Sequence, residues 1–62
     1  MEKEENLFRG EYLNGKRNGE GEEFNNNKLL LFKGEYKDGK RWNGKVYNDG
    51  KIDSEIKEGI EI

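Results

Sequence analysis

Three carboxylates in the first half of the chain are spaced closely enough to suggest chemistry. Glu20, Glu22 and Glu23 fall within four positions, and neighbouring carboxylates can bind a cation or exchange protons. On an extended strand Glu20 and Glu22 share a face, whereas Glu23 points to the other side. Because no third kind of ligand lies nearby and a surface strand is well hydrated, we expect solvated side chains with ordinary pKa values.

The chain lacks the residues on which most acid–base and nucleophilic catalysis depends. It contains no histidine and no cysteine, which excludes imidazole catalysis, thiolate chemistry and disulfides. Ser54 is the one serine and has no histidine to activate it. Residues 19–21 and 48–55 lack the spacing and the flanking helices of phosphate and calcium loops. We therefore predict a protein that is not an enzyme and that uses no cofactor and no metal.

Two Lys-Arg pairs, Lys16-Arg17 and Lys40-Arg41, recur 24 positions apart. They could bind anionic lipid headgroups or nucleic acid, or they could be solvated charges beside two turns. Binding to an anionic membrane typically uses clusters of about 4–8 cations, and a pI near 5.2 argues against nucleic acid. We expect the pairs to form a polar rim, with membrane-surface binding as a weaker alternative.

Aromatic residues are the second set that suggests a function. The set comprises Phe8, Tyr12, Phe32, Tyr36 and Trp42. These rings could stack on one another and hold a sheet together, at about 0.2–1 kcal/mol per cross-strand pair. They could also present an apolar surface to another protein. The two roles are compatible, because stacked rings can still expose their edges.

An internal repeat determines which elements position these residues. Residues 8–17 read Phe-Arg-Gly-Glu-Tyr-Leu-Asn-Gly-Lys-Arg, and residues 32–41 read Phe-Lys-Gly-Glu-Tyr-Lys-Asp-Gly-Lys-Arg. Seven of the ten positions are identical. A degenerate third copy at residues 52–59 has isoleucine in place of both aromatic residues.

Each copy has the period of two that is typical of a strand, so alternate residues share a face. A glycine between two aromatic residues leaves a gap over which a neighbouring ring can lie. The residues expected on this face are Phe8, Gly10 and Tyr12, then Phe32, Gly34 and Tyr36, then Ile52, Ser54 and Ile56.

Four turns separate the predicted strands. Asn14-Gly15, Asp38-Gly39 and residues 48–50 favour the positive φ angles of tight hairpins, and residues 25–28 are rich in asparagine. We expect strands near residues 7–13, 20–25, 29–37, 43–47 and 51–57. Such short connections make neighbouring strands antiparallel. The sequence therefore predicts an all-β fold, a single-layer antiparallel β-meander of about five strands over residues 7–62, after an acidic tail at residues 1–6.

The repeated unit resembles the MORN (membrane occupation and recognition nexus) repeat. The positions that match the family's aromatic and glycine pattern are Phe8, Gly10, Tyr12, Gly15 and Gly19, then Phe32, Gly34, Tyr36, Gly39 and Gly44. About two and a half repeats are covered, at residues 8–31, 32–51 and 52–62. The resemblance implies a row of MORN-type hairpins in an elongated sheet. It also implies an interaction scaffold without catalytic activity that is frequently a homodimer.

The apolar content is low for an independent domain. Eighteen of 62 residues are apolar and 42% are charged, so the net stability of so small a core is close to zero. A sheet without a second layer leaves an apolar face uncovered, which favours a partner or a second copy. Net charge changes from −3 over residues 1–23 to +4 over 24–51 and −3 over 52–62. This pattern could steer a partner or protect the sheet edges.

These features lead to one functional hypothesis and two alternatives. The first is a non-catalytic module whose five aromatic residues bind a protein partner or a second copy, with Lys16, Arg17, Lys40 and Arg41 as the rim. The first alternative, suggested by the small size and the acidic ends, is an inhibitor from a phage or mobile element that blocks a host defence nuclease. The second is binding to an anionic membrane surface. No apolar run is long enough for a signal or membrane span, which predicts a cytoplasmic protein.

Overall fold

The computed structural model of the protein describes residues 7–62, which form a single open antiparallel sheet. Its six strands follow chain order, so each strand pairs only with its neighbours in sequence. The strands are β1 Leu7–Leu13, β2 Lys16–Phe24, β3 Leu30–Lys37, β4 Lys40–Asn48, β5 Lys51–Lys57 and β6 Ile60–Glu61. The predicted all-β, single-layer meander is confirmed. The predicted acidic tail at residues 1–6 lies outside the described residues.

Two strands are longer than the sequence predicted, and one is additional. β2 begins at Lys16 and β4 at Lys40. Irregularities in pairing let β2 continue through Asn18-Gly19 and β4 continue through Asn43-Gly44. Residues 18–20 bulge opposite Glu11, and Trp42 bulges where β4 pairs with β3. The additional strand, β6, follows a hairpin turn that the sequence analysis did not identify.

The hairpin turns are those that tolerate two successive residues with positive φ. Asn14-Gly15, Asp38-Gly39 and Asp49-Gly50 adopt this conformation as predicted, with φ between 52° and 85°. The unpredicted turn has a glutamate, Glu58, at φ 49° before Gly59. Asparagine or aspartate usually occupies the first of these two positions, so the Glu58-Gly59 pair did not predict a hairpin turn.

The predicted turn at residues 25–28 forms with a lysine in the left-handed region. Lys28 has φ 66°, although asparagine, which occupies residues 25–27, tolerates this region more readily. The Asn25 side chain accepts hydrogen bonds from the amides of Asn27 and Leu29, at 2.8 and 3.0 Å. Asparagine therefore stabilises this turn through its side-chain oxygen.

A row of glycines crosses four neighbouring strands. Gly10 pairs with Gly21, Gly21 with Gly34, and Gly34 with Gly44. The ring of Phe8 lies over this glycine row at Gly21, where an added Cβ atom would stand 2.6 Å from the ring. An added Cβ on Gly44 would stand equally close to the ring of Phe32. The predicted packing of rings on glycine backbone is confirmed, and it allows a single layer to bury Phe32 completely.

The third repeat does not keep the predicted alternation. Ser54 pairs with Val46, but the register shifts by one residue and Ile52 pairs with Tyr47. A shift of one residue moves a side chain to the other face of a sheet. The prediction that Ile52 shares a face with Ser54 and Ile56 is therefore wrong. Ile56 packs in the core at 7% exposure, whereas Ile52 is 60% exposed.

Candidate protein-binding surface

Four aromatic rings form a continuous ladder along one face of the sheet. Tyr12 meets Phe8 with 5.3 Å between ring centroids, Phe8 meets Tyr36 at 5.0 Å, and Tyr36 meets Phe32 at 5.4 Å. All three contacts are edge-to-face, which is a favourable geometry for aromatic pairs. We call these four residues the aromatic ladder and the side of the sheet that carries them the aromatic face. The ladder joins β1 to β3 across the glycine row.

A buried carboxylate lies beside the ladder. Glu23 is 7% exposed, and its Oε1 atom accepts hydrogen bonds from the Tyr36 hydroxyl at 2.6 Å and from Nε of Arg41 at 2.9 Å. Nη1 of Arg17 lies 3.7 Å from the same oxygen. Two cations and a hydroxyl therefore compensate for the removal of this charge from water.

These contacts change the ionisation of the group. Burial alone would raise the pKa of Glu23, but the hydrogen bonds from Arg41 and Tyr36 and the charges of both arginines lower that pKa below its ordinary value. Burial and the neighbouring carboxylate raise the pKa of Tyr36 above its ordinary value. Burial would lower the pKa of Arg41, and its contacts with Glu23 raise it. At neutral pH the carboxylate and guanidinium are charged and the phenol is neutral.

This environment corrects one expectation from the sequence. Glu23 does lie on the opposite face from Glu20 and Glu22, as strand alternation predicted, but it is not solvated and its pKa is not ordinary. Strand alternation places Glu23 on the same face as Gly21, and the pairing of Gly21 with Gly10 makes that the aromatic face. Alternation alone would therefore not have identified Glu23 as a core residue or named its arginine partners.

The two Lys-Arg pairs divide between solvent and the aromatic face. The guanidinium of Arg17 lies 4.3 Å from the centroid of the Phe8 ring, and that of Arg41 lies 4.9 Å from the Phe32 ring. Lys16 and Lys40 are exposed. The arginines therefore act as a partial cover for the ladder, and two of the four cations assigned to the rim remain in solvent.

The five aromatic residues named from the sequence differ widely in accessibility. Phe32 and Tyr36 are 0% and 3% exposed, whereas Tyr12 is 60% exposed. Phe8 and Trp42 are half-buried. Trp42 is not part of the ladder, since its contacts are with Nζ of Lys37, 4.6 Å from the ring centroid, and with Gly59. A partner could contact Tyr12, Phe8 and Trp42, while Phe32 and Tyr36 hold the sheet together.

The opposite face carries charges in register. A cross-strand row runs over five strands and consists of Arg9, Glu22, Lys33, Lys45 and Glu55. Its ion pairs are exposed, with Arg9 and Glu22 3.2 Å apart and Lys45 and Glu55 3.4 Å apart. Beside this row an open groove of about 550 Å³ has Glu20 and Glu35 among its lining residues. No group of acidic side chains within residues 7–62 could hold a metal ion.

Two asparagines that sequence reasoning missed connect neighbouring hairpins. The Asn18 side chain accepts a hydrogen bond from the amide of Asp38 at 3.3 Å, and that of Asn43 accepts one from the amide of Glu58 at 2.9 Å. In each turn the next amide donates to a backbone carbonyl of the same neighbouring strand. The amide of Gly39 donates to the carbonyl of Arg17 on β2, and that of Gly59 donates to the carbonyl of Trp42 on β4. The signal was present as an Asn-Gly step that recurs 25 positions apart, one more than the repeat offset of 24.

Comparisons with protein families, with curated proteins and with solved structures find no match to this chain. Within residues 7–62, which form strands and turns, there is no helix that could cross a membrane.

Proposed function

We propose that this chain is a non-catalytic module that binds a protein partner through the open end of its aromatic face. The observation that carries this proposal is the position of Tyr12, a large ring at the end of the ladder that is 60% exposed. A tyrosine supplies a large contact area and a hydroxyl at little cost in side-chain entropy, and such residues often dominate binding energy. A MORN-type scaffold is part of the proposal, and the glycine row with its overlying rings supports it.

The ladder gives this ring a rigid support. Tyr12 packs on Phe8, whose other edge packs on the buried Tyr36. Arg17 lies over the Phe8 ring and adds a cation beside the exposed surface. A partner would therefore meet an aromatic anchor that is already ordered, flanked by positive charge. Such preorganisation reduces the entropy lost on binding.

The lack of cysteine is compatible with the proposed cytoplasmic location.

The test compares two variants of matched exposure. Ile52 is also 60% exposed but lies off the aromatic face, so Ile52→Ala is the control for Tyr12→Ala. Proteins retained from a lysate by the wild-type chain would be purified, and their affinities for all three chains measured by calorimetry. We expect Tyr12→Ala to weaken binding at least about tenfold and Ile52→Ala to leave it unchanged. A partner that binds Tyr12→Ala as tightly as the wild type, or no partner at all, would contradict the proposal.

A further inference from the structure

Within residues 7–62, one edge of the sheet is open along its whole length. β1 pairs with β2, and no strand within residues 7–62 lies on its other side. The far edge is partly covered, because β6 pairs with the end of β5 and the amide of Ile62 donates to the carbonyl of Glu55 at 2.8 Å. An edge strand presents unpaired N–H and C=O groups that can pair with another strand. The seven residues of β1 are therefore available for extension of the sheet.

The sequence of this edge complements itself when it is read in the reverse direction. β1 reads Leu-Phe-Arg-Gly-Glu-Tyr-Leu. At equal distances on the two sides of Gly10 lie first two opposite charges, then two aromatic residues, then two leucines. If two copies pair antiparallel with Gly10 opposite Gly10, Arg9 faces Glu11, Phe8 faces Tyr12, and Leu7 faces Leu13. Opposite charges and aromatic pairs at directly opposed positions stabilise antiparallel strands.

Of the six side chains that would meet, Phe8 is half-buried and the other five are exposed. Leu7, Tyr12 and Leu13 are 50%, 60% and 58% exposed, and the side chain of Arg9 is 79% exposed. Arg9 donates through Nη2 to Glu22, and Glu11 accepts the Glu20 amide through Oε1. Each keeps further hydrogen-bonding capacity for a second partner, because a guanidinium has five N–H groups and a carboxylate has two oxygens.

This register also continues the order of the sheet. A two-fold axis normal to the sheet leaves both aromatic faces on the same side. The glycine row would run from Gly44 of one copy through Gly10 into the other copy. The Phe8 ring of each copy would meet the partner's Tyr12, which extends the aromatic ladder across the junction. If the two strands paired one residue out of this register, the rings of the second copy would lie on the side of the sheet opposite the aromatic face of the first.

We propose that two copies of this chain join through β1, antiparallel and centred on Gly10, to form one continuous sheet. The occupant of the open edge is a second copy of the same strand. This inference does not rest on the proposed function, because it is argued from the open edge and the sequence of β1. The two proposals share Tyr12, since the second copy would meet the ring that the proposed function assigns to another protein.

Charge reversal tests the pairing of Arg9 with Glu11. Sedimentation velocity should give a concentration-dependent mass that approaches twice 7.3 kDa for the wild type. Arg9→Glu places two carboxylates opposite each other at both ends of the junction, and Glu11→Arg places two cations there. We expect each variant alone to dimerise at least about tenfold more weakly. Their equimolar mixture should restore dimers, because one chain then carries only acidic and the other only basic residues at these positions.

Cysteine pairs test the register without altering either charge. Leu7→Cys and Leu13→Cys change exposed side chains, and directly opposed strand positions lie within disulfide range. Under mild oxidation we expect a disulfide in the mixture of the two variants. Neither variant alone should cross-link efficiently, since identical positions would lie several residues apart. Circular dichroism would verify that every variant keeps the fold of the wild type.

The outcomes are distinct. A wild-type chain that remains monomeric at several hundred micromolar would overturn the inference, as would a dimer that forms in both charge variants alone and gives no mixed disulfide. Cross-linking of β1 to a different protein, with no homodimer, would mean that the edge accepts a foreign strand and would also overturn it. Capture of a partner that depends on Tyr12 by a chain that sediments as a monomer would support the proposed function and overturn the dimer. A dimer of the isolated chain with no captured partner would do the reverse.

Discussion

Among residues 7–62, Glu23 is the one charged side chain that is buried, and its contacts join three strands. It lies on β2 and binds Tyr36 of β3 and Arg41 of β4. We expect Glu23→Gln to lower the free energy of unfolding by about 1–3 kcal/mol, because the amide would leave the arginine charges without compensation. Chemical denaturation followed by tryptophan fluorescence measures this. Glu22→Gln on the opposite face should cost less than about 1 kcal/mol. Equal losses in the two variants would contradict a special role for Glu23.

The pKa shifts at this site predict how stability depends on pH. Because the pKa of Glu23 is lowered on folding, its contribution is complete above the ordinary glutamate pKa of about 4.3 and is lost as pH falls below it. The pKa of Tyr36 is raised, so its contribution is lost as pH rises above about 10. We expect thermal unfolding to show a flatter acid limb in Glu23→Gln and a flatter alkaline limb in Tyr36→Phe. If each variant merely shifted the whole profile downward, these assignments would be wrong.

At the scale of elements, the contact between hairpins depends on Asn43. Its side chain holds the Glu58 amide of the β5–β6 turn, whereas Asn18 holds the Asp38 amide of the β3–β4 turn. We expect Asn43→Ala to cost about 1 kcal/mol and to speed hydrogen exchange at Glu58 and Gly59. Exchange at Asp38 and Gly39 serves as an internal control and should not change. Faster exchange at both turns would indicate general destabilisation and would contradict the local role.

Most elements could be predicted from the sequence because strands and tight turns are encoded locally. Period-two alternation located the strands, and Asn-Gly or Asp-Gly pairs located three of the hairpin turns. The shifts of register could not be predicted, because a bulge depends on which residues the neighbouring strand presents. For this reason Ile52 was placed on the wrong face. Arg17 and Arg41 were expected in solvent because the predicted strands began at residues 20 and 43, whereas β2 and β4 begin at Lys16 and Lys40. The sequence predicted that the ladder residues share a face. It did not predict the burial of Phe32 and Tyr36, because that burial depends on how closely the rings pack on the backbone of the glycine row.

At the scale of the whole molecule, stability should be unequal along the sheet. Strands that contact only their neighbours in sequence behave as a one-dimensional array, in which each strand depends on the two beside it. The buried residues Phe32, Tyr36 and Glu23 lie on β2 and β3, whereas β5 contributes Ile56 and β6 contributes no buried side chain. Local opening of an array begins where the fewest contacts must break. The β5–β6 end should therefore open before the centre.

Native-state hydrogen exchange tests this gradient. We expect amides of β3 to exchange only through global unfolding, whereas amides of β5 and β6 should exchange through partial openings that depend little on denaturant. The β1 edge provides the contrast, because dimerisation would protect its outward amides in proportion to protein concentration, while exchange in β6 would not depend on concentration. Uniform protection over all six strands would show that the sheet opens as one cooperative unit. That result would contradict the description of this chain as an array of hairpins that is stabilised mainly through β2, β3 and β4.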